Sequence, residues 1–338
     1  MLRYLIRRLA LGVLVLFGLS VLTFVITRVA PGDPAALWVG PRATLHQIEM
    51  ARITLGLNRP LIAQYGIYMG ELFRGNLGTS IDTHNPVTLD IANHLPASIE
   101  LVVAGMFLGI VFGLPLAVWA AMRPGGLVDS AARVIAVVSV SIPTFWFALI
   151  LQIVFFQHLG IFPLAGQLSN LTLAIDPVHR ITGFTPIDAL LEGNTTAFWD
   201  SLWHLVLPAV TLATYPFGLI VRMMRGSLLD VISLDHIRLL RALGQRRSVI
   251  AFKYAMKNAV PPSLTALALT FAYSLTGTFL IEAVFNWPGI GSYTANAVIT
   301  NDYPAVMGVT LVIGTVYVLV NLIVDLVVAG IDPRVLYT

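Results

Sequence analysis

The sequence contains no cysteine and few charged residues. The missing cysteine excludes disulfide bonds, thiolate metal sites, iron–sulfur clusters and cysteine nucleophiles, but it leaves the redox compartment undetermined. Charged residues make up 11% of the 338 residues, against about 25% in a typical soluble domain. The two lysines, Lys253 and Lys257, do not follow a GxxxxGK[ST] loop. We therefore expect no nucleotide site and no bound cofactor in this chain.

Short enzyme motifs are also absent. The sequence has no HExxH and no GxSxG, and its seven histidines are dispersed. No close pair of carboxylates falls within an apolar stretch. These absences predict a chain with no metal site and no catalytic residues, which is not itself an enzyme.

Long apolar runs dominate what is present. Hydrophobic residues make up 57% of the chain, and the mean hydropathy is +0.84. A hydrocarbon core of about 30 Å requires about 20 apolar residues in a helix. Six such windows occur, approximately Leu9–Val29, Leu101–Met122, Val134–Gln157, Leu205–Val221, Leu264–Val284 and Ala305–Val328. The sequence therefore predicts an all-α polytopic membrane protein with six transmembrane helices.

The distribution of cationic residues predicts the orientation. With six spans, both termini lie on the same side of the membrane. Only six of the 20 cationic residues lie on the other side, namely Arg28, Arg42, Arg52, Arg59, Arg74 and Arg180. The positive-inside rule then places both termini in the cytoplasm and the protein in the cell inner (cytoplasmic) membrane. Because the basic residues follow topology, the net charge of +3 does not indicate a nucleic-acid partner.

These spans divide the chain into three regions and two large loops. Residues 1–30 form the cytoplasmic N-terminus and first span, 31–97 an external helical subdomain, and 98–338 the core with the other five spans. Within 31–97, apolar patterns predict helices over Thr44–Leu55 and Leu61–Phe73. The core carries an external loop over 158–204 and a cytoplasmic loop over 222–258. Loops of this length are usually functional or disordered.

Two interpretations fit the cytoplasmic loop 222–258, which holds eight cationic residues. Its arginines could only fix the topology or contact anionic lipid of the membrane. Alternatively, the loop could form a short amphipathic helix, ended near Gly244, that docks in a groove of a cytoplasmic protein. Charge alone favours the first interpretation, so the order of the residues must decide.

The residue order in this loop resembles a known signature. Residues 235–244 read DHIRLLRALG, and residues 255–262 read AMKNAVPP. This pair resembles the EAA-like loop of ABC importer permeases, which in the dipeptide and oligopeptide branch reads close to DYVRTARAKG and ALRNALLP. The sequence departs from that pattern at Leu239 and Leu240, where a small residue is commoner, and at Pro261, where leucine is usual.

Other landmarks of that branch occur in order along nearly the whole chain. They are Arg7-Arg8, Ala30-Pro31-Gly32-Asp33-Pro34, Leu55-Gly56-Leu57, Gly75-Asn76-Leu77-Gly78, Leu95-Pro96-Ala97-Ser98, Ser141-Ile142-Pro143-Thr144, His204-Leu205-Val206-Leu207-Pro208, Trp287-Pro288-Gly289-Ile290-Gly291, Asp302-Tyr303-Pro304 and Asp332-Pro333-Arg334. The ordered set resembles the first permease subunit of this importer family. The resemblance implies a type I ABC importer permease fold with a large external segment after the first helix.

The resemblance also implies partners. They are a second homologous permease, two ATP-binding subunits that hold ATP and Mg, an extracytoplasmic substrate-binding protein, and a short peptide as substrate, besides the membrane lipid. It assigns docking of the ATPase to part of the cytoplasmic loop. The residues involved are Asp235, Ile237, Arg238, Leu240, Arg241, Leu243 and Gly244.

Four further residues are candidates for the substrate pathway or its gate. Trp146 could be a packed core aromatic or a pathway residue. Glu282, near Trp287, could line an outer gate or anchor the loop that follows it. Asp325 is a costly charge inside the last span, and such charges suggest function. It lies near the cytoplasmic end, however, where pairing with an arginine is easy, and we favour a structural role for it.

A secondary transporter or channel half that acts without ATPases is the alternative function. Six spans can form half of such a protein, but the chain shows no clear inverted repeat and few intramembrane charges for ion coupling. A membrane anchor that transports nothing is a further alternative. The resemblance favours the ATP-driven importer of dipeptides or oligopeptides over both.

Overall fold

The structure, a computed structural model, describes residues 2–29, 33–40 and 42–331, and this part of the chain is helical without any β-strand. The motifs Ala30-Pro31-Gly32 and Asp332-Pro333-Arg334, and the predicted C-terminus, lie outside the described residues. The helices are α1 (Leu2–Val29), α2 (Pro34–Val39), α3 (Leu45–Thr54), α4 (Leu61–Phe73), α5 (Val87–Met122), α6 (Leu127–Ser141), α7 (Thr144–Leu151), α8 (Asn170–Ile175), α9 (Thr185–Leu191), α10 (Thr195–Ile232), α11 (Asp235–Ala242), α12 (Arg247–Val249), α13 (Met256–Gly277), α14 (Phe279–Phe285), α15 (Ile290–Ile299) and α16 (Tyr303–Ile331). Two π-helical segments, Gln152–His158 and Ile250–Ala255, continue α7 and α12.

Four of these helices are long and apolar enough to cross a membrane, namely α1, α5, α10 and α16. The number rises to six if each of two bent helix pairs is one span. All six apolar windows of the sequence fall in these helices. The structure therefore supports a polytopic all-α membrane protein with four to six spans.

The third and fifth predicted spans are not single straight helices, which corrects the prediction. The third is broken between α6 and α7, whose axes differ by 101°. Ile142 and Pro143 form the break. A proline lacks a backbone donor and disfavours helical geometry in the residue before it. The fifth is bent by 53° between α13 and α14, after Gly277.

Several predicted boundaries also fall inside continuous helices. Helix α5 begins at Val87 and passes through residue 97, which we had predicted to end the external subdomain. Helix α10 runs over Thr195–Ile232 and so takes up the end of loop 158–204 and the start of loop 222–258. Hydropathy marks only the apolar middle of a helix, because both ends continue into polar sequence.

Close contact between α5 and α10 forms the centre of the bundle. Gly105, Gly109 and Gly113 lie four residues apart along one side of α5. A Cβ at Gly105 would lie 2.5 Å from the side chain of Leu212, and one at Gly109 would lie 3.0 Å from the backbone nitrogen of Phe217. Small residues let helix backbones approach closely in a membrane, where packing replaces the hydrophobic driving force.

The remaining long helices pack around this pair. Helix α6 and helix α13 lie against α10, while α16 contacts α13 and α1. Most side chains of α1 over residues 5–28 are exposed in the isolated chain, as expected for a helix at the lipid boundary. Helix α6 is also joined to α10 by an ion pair, in which Arg225 donates to the buried carboxylate of Asp129, with Nη2 to Oδ2 at 2.9 Å.

The segment between α1 and α5 contains three short helices. Helix α3 begins with a capping box, in which the Thr44 side chain accepts from the Gln47 backbone and the Gln47 side chain accepts from the Thr44 backbone. Helix α4 covers Leu61–Phe73, the same residues as the apolar pattern that predicted it. Asp33 caps α2 and forms an ion pair with Arg52 of α3 at 2.6 Å. This region is a small helical unit joined to the end of α1.

We predict that Gly218→Ala in α10 lowers the stability of the folded chain. A Cβ at Gly218 would lie 2.6 Å from the backbone oxygen of Ala136 in α6, and a backbone atom cannot move aside as a flexible side chain can. Overpacking of this kind costs about 1–3 kcal/mol. The thermal midpoint of the purified protein in detergent should fall. Gly226→Ala in the same helix is the matched control, because its Cβ would meet no atom within 4 Å. Equal midpoints for both variants would contradict the close contact.

Candidate functional site

The segment predicted to dock an ATPase subunit forms a helix, α11. It covers Asp235–Ala242, with Leu234 and Leu243 as its flanking caps. Gly244 follows with φ at +75°, a backbone conformation that glycine adopts without strain. The backbone N–H groups of Gly244 and Gln245 donate to the carbonyls of Arg241 and Leu240, which ends the helix. A glycine-marked turn therefore lies where the sequence predicted it.

The inner side of α11 contacts the chain's own core. Ile237 is fully buried, and Leu240 is partly buried in the same cluster, with Leu228 and Met224 of α10 and Ile250 of the π-helical segment. Ile237 therefore cannot be a free docking residue as expected, because its side chain already holds α11 against the bundle. The amphipathic pattern in the sequence does not show whether an apolar side chain contacts the rest of its own chain or another protein.

The outer side of α11 is exposed. Leu239 and Leu243, four residues apart on one face, are 60% and 69% exposed. Asp235 and Arg238 are exposed beside them and form an ion pair at 3.3 Å. Next to the helix, Arg241 and Arg247 line a cavity of about 520 Å³ with apolar walls from α5, α10 and the π-helical segment. This face combines exposed leucines with unburied charges, as a protein-binding surface does.

Glu282 lies at the opposite end of the bundle and is fully buried. Its Oε1 accepts from the Ser98 hydroxyl at 2.5 Å, and its Oε2 accepts from the backbone N–H of Ser292 at 2.7 Å. Ser98 Oγ in turn accepts from the backbone N–H of Ile290 at 2.8 Å. We call these four residues the Glu282 clasp. It joins α14 and α15 to α5, so of the two roles considered for Glu282 the contacts fit the loop anchor.

Trp287 belongs to the same region and is also buried. Its indole Nε1 donates to the carbonyl of Ala97 at 2.9 Å, and its backbone N–H donates to the carbonyl of Glu282 at 2.8 Å. Gly289 and Gly291 follow it. A side chain at Gly289 would overlap the Glu282 carboxylate, and one at Gly291 would lie 2.8 Å from the backbone nitrogen of Phe279. The glycines of this motif therefore make room for the clasp.

Of the other two candidates, one is exposed in the isolated chain and one is partly buried. Trp146 on α7 is 51% exposed, so it is not the packed core aromatic that we considered. Asp325 on α16 forms an ion pair with Arg8 of α1, with Nε to Oδ2 at 3.1 Å. The ion pair fits the structural role that we favoured for Asp325.

A second large cavity, of about 870 Å³, lies at the clasp end between the loop 158–194, α5 and the residues after α14. Asp188 stands at its wall and accepts from the backbone N–H groups of Ile181, Thr182 and Gly183. Burial alone would raise the pKa of Asp188, but these bonds and the Thr182 hydroxyl outweigh it and lower the pKa below its usual range. The carboxylate thus stays ionised and organises the loop.

Sequence reasoning missed several of these residues. Ser98, Asp129, Glu100 and Asp188 are buried polar residues, and none was a candidate. The partners of Ser98, Asp129 and Glu100 lie far away along the chain, for example 184 residues between Ser98 and Glu282. Those of Asp188 lie only five to seven residues before it. The signal that could have found them is the presence of a carboxylate or hydroxyl within or beside an apolar helix, since a buried polar group requires a partner.

Comparison with known proteins identifies the family of this chain. The family model "Binding-protein-dependent transport system inner membrane component" matches residues 113–337. The model "Binding-prot-dependent transport system membrane comp, N-term" matches residues 1–102. A solved structure, "Inward facing conformations of the MetNI methionine ABC transporter", aligns with 70% of this chain and 93% of its own at 20% identity and a TM-score of 0.45. That likeness is too low to carry an argument.

Curated relatives match over nearly their full length. The "Probable D,D-dipeptide transport system permease protein DdpB" of Escherichia coli is 42% identical, over 96% of this chain and 94% of the relative. The "Dipeptide transport system permease protein DppB" of Alkalihalophilus pseudofirmus is 40% identical over all of both chains. Its namesake in Escherichia coli is 34% identical over 99% of both. The chain therefore belongs to the family of binding-protein-dependent transport system inner membrane components and groups with its dipeptide-type ABC transporter permeases.

Proposed function

We propose that this chain is the transmembrane permease subunit of an ATP-driven importer of short peptides. The observation that carries the proposal is the exposed face of α11, where Leu239 and Leu243 project from a helix already fixed to the bundle by Ile237. A helix that is held on one side and exposed on the other can pass a movement of its partner to the spans.

The partner at α11 is an ATP-binding subunit that holds ATP and Mg. Two such subunits serve a pair of permeases, and this chain forms the substrate pathway with a second, homologous permease. In this assembly each bent pair, α6 with α7 and α13 with α14, counts as one span, so that the chain has six. The family description, which names a binding-protein-dependent system, supports this composition.

The orientation follows from the positive-inside rule. Both termini and α11 lie in the cytoplasm, and the segment between α1 and α5 lies outside. The protein resides in the inner (cytoplasmic) membrane. The large cavity beside Asp188 then opens outside, where an extracytoplasmic binding protein delivers substrate.

Short peptides are the proposed substrate. The relatives are named for transport of D,D-dipeptides, dipeptides and di- or tripeptides. The exposed aromatic Trp146 is our candidate for a residue facing the pathway or the second permease. The Glu282 clasp instead positions the outer loop that includes Trp287, and Asp325 fixes α1 to α16 through Arg8.

The substrate proposal predicts ATP-dependent peptide uptake. Vesicles that contain this permease with its second permease and two ATPase subunits should accumulate a labelled dipeptide when the binding protein and ATP are both supplied. Without either one, uptake should fall to background. Dipeptide uptake that persists without ATP would instead support the secondary transporter. Uptake of a sugar or metal chelate but no peptide would contradict the substrate class.

The docking proposal predicts that Leu239→Ser with Leu243→Ser releases the ATPase subunits. Truncating a buried interface anchor costs about 2 kcal/mol or more, which lowers occupancy at least tenfold. The measurement is the amount of ATPase subunit that copurifies with the tagged permease. The variant itself should fold normally, because both side chains are exposed.

Two controls separate docking from folding. Leu127→Ser removes another exposed leucine, which is 91% exposed at the start of α6, and should leave the ATPase bound. Ile237→Ala should instead lower thermal stability by about 2–5 kcal/mol, because it opens a cavity in the chain's own core. Retention of the ATPase by the double serine variant would overturn the docking role of this face.

The clasp predicts a stability effect of Ser98→Ala. The variant removes the hydroxyl that donates to Glu282 and accepts from Ile290, which leaves two buried groups short of a partner. The expected loss is about 1–3 kcal/mol. The thermal midpoint of the complex reports it, and Ser139→Ala, whose hydroxyl bonds only to a carbonyl of its own helix, is the control. An unchanged midpoint would show that the clasp does not hold the loop.

A further inference from the structure

A small cavity lies at the end of α1 that is remote from the N-terminus. Its volume is about 220 Å³, and it lies between α1, α4 and the start of α16. Its polar lining residues include Arg28, Gln64, Tyr68 and Glu71. None of them takes part in the proposed docking or pathway sites.

Aromatic contacts give this cavity rigid walls. The ring of Phe24 on α1 meets Tyr65 edge to face at 5.2 Å and stacks with Tyr68 at 5.9 Å. The hydroxyl of Tyr65 also shares a hydrogen bond with Ser20 of α1 at 2.9 Å. These contacts fix α4 against α1, so the cavity is formed before any ligand enters it.

Two buried polar atoms at the cavity lack a partner in the described structure. Gln64 is 9% exposed, and its Nε2 donates to the carbonyls of Leu57 and Arg59 at 3.2 and 2.7 Å. These bonds fix the orientation of the amide and leave its Oε1 without a donor. The hydroxyl of Tyr68 is also unpaired. Because such groups cost free energy when unsatisfied, a ligand that pairs with both is favoured.

The polar side chains that line the cavity include both hydrogen-bond donors and acceptors. Arg28 is held over the Phe24 ring at 5.2 Å and forms no ion pair with a described residue. Burial, followed by the neighbouring Tyr65, raises the pKa of Tyr68 to about 12, so its hydroxyl keeps a proton to donate. Gln64 Oε1 is an acceptor without a donor. The Glu71 carboxylate is an acceptor that already receives Arg74 Nη1 at 3.0 Å and Asn76 Nδ2 at 2.8 Å. The cavity therefore offers donors to an anionic group and acceptors to a cationic group.

The surroundings of the cavity are those of a membrane surface. Arg28 stands at the end of the apolar helix α1, where arginine is expected at the lipid headgroups. On α4, Ile62 and Phe73 are 88% and 84% exposed, and Ile67, which lines the cavity, is about half exposed. They are exposed apolar side chains, as are most side chains of α1. An amphipathic helix of this kind lies in the interface with its apolar face in lipid.

We propose that this cavity binds the headgroup of phosphatidylethanolamine from the adjacent leaflet. The phosphate accepts hydrogen bonds from Arg28 and Tyr68, and the ammonium donates to Gln64 Oε1 and Glu71. The acyl chains then lie along α1 and α4. A headgroup with both charges satisfies Tyr68 and Gln64 Oε1 and adds a partner to Arg28 and Glu71, whereas phosphatidylglycerol brings no cation to the acceptors. The site requires only that α1 crosses the bilayer.

The test uses the complete complex in nanodiscs of mixed phosphatidylethanolamine and phosphatidylglycerol, released into detergent and analysed by native mass spectrometry. The wild type should retain one phosphatidylethanolamine more than Tyr68→Phe, Gln64→Leu or Arg28→Gln. Each variant should weaken retention about tenfold, the effect of one lost hydrogen bond to a charged group. Tyr68→Phe preserves the ring contacts, so its effect does not depend on misfolding.

Arg42→Gln is the matched control, because Arg42 is an exposed arginine of the same segment that does not line the cavity. It should retain the lipid as the wild type does. Equal retention in all variants, or density for water alone in a cavity resolved by electron microscopy, would overturn the proposal. Retention of phosphatidylglycerol that depends on Arg28 but not on Gln64 would also overturn it, since the site would then recognise only an anion.

Discussion

The close approach of α5 and α10 is the contact on which the rest of the bundle depends. Lipid tails are as apolar as leucine, so helices in a bilayer gain stability from dense packing rather than from leaving water. The glycines at 105, 109 and 113 let the two backbones meet over much of their length. Both helices are long enough to connect the two ends of the molecule. One end carries α11, and the other carries the Glu282 clasp. Other helices pack on this pair, which sets their positions.

Different interactions hold the two ends of the bundle, apolar packing at one and hydrogen bonds at the other. At one end, Ile237 and Leu240 fix α11 through apolar packing and leave a leucine face exposed. At the other, the buried carboxylate of Glu282 joins α14, α15 and α5 through the Ser98 hydroxyl and backbone N–H groups. Hydrogen bonds are directional, so several of them on one buried carboxyl group hold this end in one geometry. The exposed leucine side chains of α11 make no such hydrogen bonds.

The positions of the helices along the chain could be predicted from the sequence more accurately than the directions of their axes. Hydropathy located all six apolar stretches, and the apolar pattern of α4 matched its residues. A window average contains no information on bending, so the break at Pro143 was not predicted and the third span was expected as one helix over Val134–Gln157. Similarly, α11 has apolar residues on two sides, and the sequence cannot tell whether Ile237 or Leu243 faces inward. The Glu282 clasp joins residues far apart in sequence, and spacing cannot reveal such pairs without the fold.

The unbroken course of α10 restricts how the length of this chain can change. An α-helix advances about 100° for each residue. One residue inserted into the middle of α10 would therefore turn its whole second half relative to the first. Gly218 would leave the backbone of α6, and Arg225 would turn away from Asp129. Insertions and deletions should consequently be confined to the segments between helices. The number of residues in α10, which runs from the cavity beside Asp188 to α11, should stay constant among related chains.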